Sequence, residues 1–355
     1  MKSFVYTSLI IIVLLSSCNN HKELNYSVIN VSSDSAQIFE IPSSSKVTYF
    51  TNNNADSSLI IGNIYKLDFS GDTMIVFSKD RVTAINGDGN YLHDFSTKGR
   101  GPLEFLTLNS VFLKNGLVHL YDDYSKKILR YYVNGSFCDS INIPVNKDHL
   151  SINRIIPIYE SNRYVFRPVF RGEQFNVPKL GLLDSTFRII DTLAGEYLKT
   201  GISFVNTFTF NGDEVIYWEP FCYSIISIDS NLSVRQKYYV NFNEYALSSD
   251  ILKKNINEII TLINNKDNLF KYVTSIYDVY ETKNYVIFRY SLRQQNYLAI
   301  YIKHKNSTKS FEIKKDGYLF SSFTTVHNEK IYLIANEEGT NRSALFCIDF
   351  KDIIN

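Results

Sequence analysis

The chain has 355 residues, 37 basic against 36 acidic side chains for a formal net charge of +1, and 45% hydrophobic residues. That near-neutral balance, with no block of like charge, leaves no electrostatic case for a nucleic-acid partner or for adsorption to an anionic membrane surface. The length suits one large β domain or two ordinary ones, and 26 Tyr and 25 Phe favour the pleated, half-buried surfaces of strands.

In chain order, Lys2 precedes an apolar run over residues 4–15, broken only by Tyr6, Thr7 and Ser8. At about 12 residues it is too short to span a bilayer, which takes roughly 20 helical residues, so residues 1–17 read as a signal peptide. Leu15-Ser16-Ser17-Cys18 resembles a bacterial lipobox. The resemblance implies cleavage before Cys18, acylation of its thiol (a palmitate-type modification) and a membrane partner reached through that lipid. The alternative is a secretory signal with an incidental cysteine. Two acyl chains would hold stably, since each buried CH₂ contributes ~0.8 kcal/mol. Residues 18–25 form a polar tether and residues 26–355 the folded domain. Asn19-Asn20-His21-Lys22-Glu23 is only weakly acidic, so an outer-membrane lipoprotein on either the periplasmic side or the cell surface fits.

Turn signals recur through the rest of the chain. Asn86-Gly87-Asp88-Gly89, Asn134-Gly135, Asn211-Gly212-Asp213 and Asp316-Gly317 each sit between strand-like runs, where a hairpin needs φ > 0. One unit repeats: a turn, an alternating apolar strand, a polar or aromatic loop, then a second strand. Its first strand reads as Met74-Ile75-Val76-Phe77, Leu117-Val118-His119-Leu120, Tyr164-Val165-Phe166, Val215-Ile216-Tyr217-Trp218, Tyr285-Val286-Ile287-Phe288 and Ile331-Tyr332-Leu333-Ile334. Starts are about 43, 47, 51, 70 and 46 residues apart. Four-stranded propeller blades repeat at ~40 to 50 residues, so the expectation is an all-β, six-bladed propeller of antiparallel four-stranded blades.

The long gap holds the one helical period, Leu252, Ile256, Ile259 and Ile263, within an insertion over residues 244–270. Ser248 or Ser249 can cap it. It reads either as a lid or partner-binding helix, or as a helix packed on the propeller edge. Radial closure protects an all-β chain from edge pairing. One of two strand-like segments within residues 25–41 is expected to complete the last blade beside residues 344–350. Two β-sandwich domains are the alternative, but no linker separates them.

Lys98-Gly99-Arg100-Gly101-Pro102-Leu103-Glu104-Phe105 resembles the G-x-G-P-G-E-[FY] signature of six-bladed propeller lipoproteins of Bacteroides-type bacteria, with Leu103 in place of the usual glycine. Tyr121-Asp122-Asp123, Lys127-Ile128-Leu129-Arg130-Tyr131 and Asn134-Gly135 are similar to that family's second blade. The resemblance implies a propeller and export, and carries no general activity. Read from the residues alone, the two glycines and the proline make a tight crossing between blades, with Arg100 and Glu104 pairing or satisfying its backbone.

No catalytic motif is present: no Gly-x-Ser-x-Gly elbow, phosphate loop or His-Glu-x-x-His. The six histidines never stand at metal-ligand spacing, and Asn86-Gly87-Asp88-Gly89-Asn90 reads as a hairpin turn rather than a calcium loop. No cofactor or metal is expected. Cys138, Cys222 and Cys347 lie far apart and suggest no disulfide framework. In a propeller, the loop after a blade's second strand and the crossing to the next blade open on one face. Those loops carry Arg100, Glu104, Asp122, Tyr124, Arg167, Arg171, Trp218, Glu219, Arg289 and Arg293, the candidate ligand face. Arginines just past strand cores suit a carboxylate held by paired hydrogen bonds; the alternative is that these charges pair across blades and seal the channel. The expected function is an envelope lipoprotein binding a small anionic ligand, a glycan or a protein. The alternative is a hydrolase or lyase acting on a glycan or peptide with residues gathered at the channel mouth.

Overall fold

The computed structural model describes residues 26–43, 45–50, 64–78, 81–144, 152–168, 180–193, 208–211, 214–219, 221–231, 233–254, 256–265, 271–293, 295–340 and 342–354. Three short strands come first: β1 (Ser27–Asn30), β2 (Gln37–Glu40) and β3 (Lys46–Tyr49). Five four-stranded meanders follow. They are β4 (Ile64–Ser70), β5 (Thr73–Ser78), β6 (Arg81–Ile85) and β7 (Tyr91–Asp94); β8 (Leu108–Lys114), β9 (Leu117–Asp122), β10 (Lys127–Tyr132) and β11 (Phe137–Asn142); β12 (Ile152–Pro157), β13 (Tyr164–Pro168), β14 (Leu180–Leu183) and β15 (Ile189–Leu193); β16 (Phe208–Asn211), β17 (Glu214–Glu219), β18 (Cys222–Ile228) and β19 (Val234–Asn241); and β20 (Ile276–Glu281), β21 (Tyr285–Leu292), β22 (Gln295–Ile302) and β23 (Ser307–Lys314). The sixth sheet holds β24 (Tyr318–His327), β25 (Lys330–Glu337) and β26 (Ser343–Asp349), with β3 as its fourth strand.

Six sheets with one cavity bordered by the first strand of every one make a six-bladed propeller. What holds the ring is burial between blades. Each seam is filled by apolar side chains from both neighbours, such as Phe77, Val111 and Leu120 between blades 1 and 2, Phe112, Ile155 and Phe166 between 2 and 3, and Leu67, Val76, Ile334 and Leu345 where blade 6 meets blade 1. At ~1.5–3 kcal/mol for each fully buried large apolar side chain, these seams dominate the stability.

Three features depart from the sequence reading. The six apolar runs are the second strands of their blades, β5, β9, β13, β17, β21 and β25. A second strand is flanked by strands on both edges and by blades on both faces, so it is the most apolar and the most visible. The strand that closes blade 6 is β3, pairing antiparallel with β26 through Val47↔Phe346 and Lys46↔Cys347, not a strand from residues 25–41. Those residues instead add parallel fifth strands, β1 to β19 and β2 to β23, covering the outer edges of blades 4 and 5.

The helical stretch lies in the crossing from blade 4 to blade 5, as α1 (Ser249–Leu252) and α2 (Ile256–Asn264). Ser248 caps α1 by accepting from the Ile251 N–H. Ile259 is buried with Phe221 and Leu247, and Ile251, Leu252, Ile263 and Tyr272 pack around them, so the insertion lies on the propeller. The chain ends in α3 (Phe350–Ile354), whose Phe350 and Ile353 are buried in the seam of blades 5 and 6.

Candidate functional site

Strand direction alternates within a meander, so the turn after each second strand and the crossing into the next blade share one face. The loop Lys98–Phe105 is such a crossing, and its sequence is explained by its own hydrogen bonds. Glu104 folds back so that its carboxylate accepts from the Gly101 N–H at 2.6 Å, while Gly99 N donates to Phe105 O at 2.9 Å. A Cβ on Gly99 would stand 2.1 Å from Glu104 Oε2, so the glycine is there to admit the carboxylate. Phe105 is buried in the seam of blades 1 and 2. Asp122 is fully buried and accepts from Leu106 N, Thr107 N, Tyr124 N and Ser125 Oγ, which fastens the crossing to the β9–β10 hairpin. Arg100 and Tyr124 are exposed.

The structure separates the other residues of the expected ligand face. Trp218 is buried in the seam of blades 4 and 5. Arg293 lies under Tyr245, donating to its hydroxyl at 2.8 Å and standing 3.8 Å from Asp34. Arg289 stands opposite Tyr277; burial lowers its pKa and the adjacent Asp278 charge works against that. It borders a separate hollow of about 440 Å³ with Leu298, Glu312, Phe320 and Leu333. Arg167 is buried at 1% exposure. Arg171, the Glu219 side chain and Cys18 lie outside the described residues.

The inner strands hold the feature that sequence reasoning missed. A cavity of about 340 Å³ runs along the axis, bordered by Tyr65, Asn109, Arg154, Thr209, Asp278 and Thr325, one from each first strand, among other residues. That volume is at the small end for small-molecule sites. Five of the six inner strands carry a register shift, and such bulges re-aim side chains. The shift in β12 falls between Ile152 and Arg154 and sets Arg154 directly opposite Arg167 on β13. Like charges directly opposite are unfavourable in an antiparallel pair. Burial first, then the Arg167 charge, hold the Arg154 guanidinium down to about 10, with Tyr65 the opposing influence. Among the described residues no carboxylate lies within ion-pair distance of Arg154.

The cavity's other charges are neutralised locally. Lys66 Nζ lies 2.8 Å from Asp68 and donates to Val111 O at 3.1 Å. Asp278, in the left-handed region at φ 47 within the β20 bulge, accepts from Thr324 N at 3.0 Å and faces the Arg289 charge. His327 stacks on Phe69 at 4.4 Å, and burial lowers its pKa. Among the described residues Arg154 is thus the uncompensated cation of the channel. The signal for it was the charged residue in Ile152-Asn153-Arg154-Ile155, legible once that segment is recognised as an inner strand. No helix among the described residues is long and apolar enough to cross a membrane.

Solved structures similar to this chain share the propeller. A protein from Bacteroides fragilis assigned as exported aligns with TM-score 0.68 at 17% identity, covering 90% of this chain and 99% of its own. A member of the DUF4221 family from Bacteroides vulgatus aligns with TM-score 0.57 at 11% identity, covering 86% and 96%. A virginiamycin B lyase from Staphylococcus aureus aligns with TM-score 0.45 at 12% identity over 80% of each chain, too loose a likeness to bear on chemistry. No curated protein matches in sequence. The model of DUF4934, described as a domain of unknown function, matches residues 28–342, from the first edge strand into the sixth blade, and the chain belongs to that family.

Proposed function

We propose that this protein is an exported, lipid-anchored binding protein whose propeller channel holds a small anionic molecule. The observation that carries this is Arg154: a cation in a cavity of about 340 Å³, set against a second arginine, with no carboxylate of the described chain within ion-pair distance. A bound anion relieves the repulsion and replaces the hydration Arg154 gives up in the channel. Guanidinium suits a carboxylate or phosphate because its planar fork donates two parallel hydrogen bonds. A small molecule fits a cavity of this volume better than a polymer or a protein partner does.

Export and anchoring rest on the leader and on Cys18, supported by the fold's likeness to a protein assigned as exported. Cys18→Ala is expected to release the protein from membranes into the soluble envelope fraction. The binding reading is tested by thermal unfolding of the mature chain with monocarboxylates, phosphate esters and acidic sugars at constant ionic strength. At least one class is expected to raise Tm for the native protein and not for Arg154→Met, with Arg154→Lys between them. Equal stabilisation of native and Arg154→Met would refute the site.

A further inference from the structure

The cavity around Arg154 gathers aromatic rings at one end, beside the Lys66–Asp68 ion pair, and this narrows the ligand beyond its charge, if the anion-binding reading above holds. At the end away from the blade crossings, Phe69, Tyr159, Tyr280 and His327 converge. The two tyrosine hydroxyls there are already used: Tyr159 donates to Leu113 O at 2.6 Å and Tyr280 to Thr324 O at 3.2 Å. Their hydroxyl protons are thereby committed to the backbone. Phe69 is held between His327 at 4.4 Å and Tyr332 at 4.6 Å, so its ring is fixed in place. From Asn109 to Leu113 the β8 wall runs about 13 Å at ~3.3 Å per residue, long enough for a charged head and one ring. Lys66 with Asp68, and Asp278 with Arg289, cancel locally, which leaves one cation to be matched.

We infer that the channel ligand is an aromatic monocarboxylate, its carboxylate on Arg154 and its ring in the chamber of Phe69, Tyr159, Tyr280 and His327. Ring walls favour an aromatic guest through edge-to-face and offset-stacked contacts over an aliphatic one of like size. A second negative charge would face Asp68 and Asp278 without a cation of its own.

The test is isothermal titration of the full mature chain with four probes: 3-phenylpropanoate, propanoate, 3-cyclohexylpropanoate and 3-phenylpropanamide. 3-Phenylpropanoate is expected to bind at least tenfold more tightly than propanoate or the amide, and at least threefold more tightly than the cyclohexyl acid. Phe69→Leu, checked for native circular dichroism, should weaken 3-phenylpropanoate at least fivefold and leave propanoate within twofold. Propanoate or the cyclohexyl acid binding as tightly as 3-phenylpropanoate would overturn the aromatic chamber and leave the anion site standing. The amide binding as tightly as the acid, unaffected by Arg154→Met, would overturn the anion reading itself. The probe comparison on the native chain decides the matter even if a variant fails to fold.

Discussion

Arg154 and Arg167 stand directly opposite each other across the β12–β13 ladder, two like charges where a propeller could hold an apolar pair. A site kept for binding at the expense of stability makes a prediction with an unusual sign. Arg154→Met should leave the free protein as stable or more stable, by up to ~1 kcal/mol, the scale of cross-strand pair energies. Urea unfolding measures it. A loss of more than about 2 kcal/mol would mean that Arg154 is a structural group with a partner it needs.

The crossing loop yields a test of coupling. Gly99→Ala places a methyl where the Glu104 carboxylate lies, so it should displace that carboxylate from the Gly101 N–H and cost about 1.5–3 kcal/mol, the range for a hydrogen bond to a charged group. Glu104→Ala removes the same bond. The double variant should therefore be little worse than either single one, and a double-mutant cycle in urea reports this as a large coupling. Additive costs would mean that the glycine and the glutamate act separately.

Acid stability should depend on Glu281. Its side chain is 4% exposed between blades 4 and 5, bound by Lys237 at 2.5 Å, Lys303 at 2.7 Å and Tyr238 Oη at 2.7 Å. Burial pushes its pKa up, but these donors outweigh that and bring it down to about 2. A depressed carboxylate stabilises the fold fully above its unfolded pKa, near 4.3, and progressively less as pH falls toward 2. The native protein should lose on the order of 2–3 kcal/mol from this group across that window. Glu281→Gln should be less stable at neutral pH and show a flatter profile below pH 5, measured by urea midpoints at several pH values. An unchanged profile would contradict the assignment.

Cys138, Cys222 and Cys347 lie on β11, β18 and β26 of three different blades, and none of the three is in a disulfide. Alkylation under denaturing conditions without reductant should add three groups to the folded domain by mass spectrometry. A missing group would reveal a crosslink.

The blade count was legible because second strands are buried on every side, which makes their apolar runs stand out at near-constant spacing. The inner strands were not, since a channel wall mixes charge with apolar residues: Tyr65-Lys66-Leu67-Asp68 alternates like a solvent-facing strand, and Asn153-Arg154-Ile155-Ile156 does not alternate at all. Hence Arg154 has no sequence signal of its own, whereas Arg167 stands out at the end of an apolar second strand. Trp218 and Asp122 were legible as special residues but not as buried ones, because a seam and a loop anchor are tertiary facts. The edge strands β1 and β2 could not be told from the closing strand β3, as all three are short and of like composition and only pairing distinguishes them.

Bromide anomalous scattering locates an anion site in the channel without knowledge of the natural ligand. A crystal of the mature protein soaked in bromide should show an anomalous peak inside the channel within contact distance of the Arg154 guanidinium, and an Arg154→Met crystal treated alike should lack it. Bromide found only on the outer surface, with Arg154 paired to a carboxylate of its own chain, would show that the channel holds no anion site.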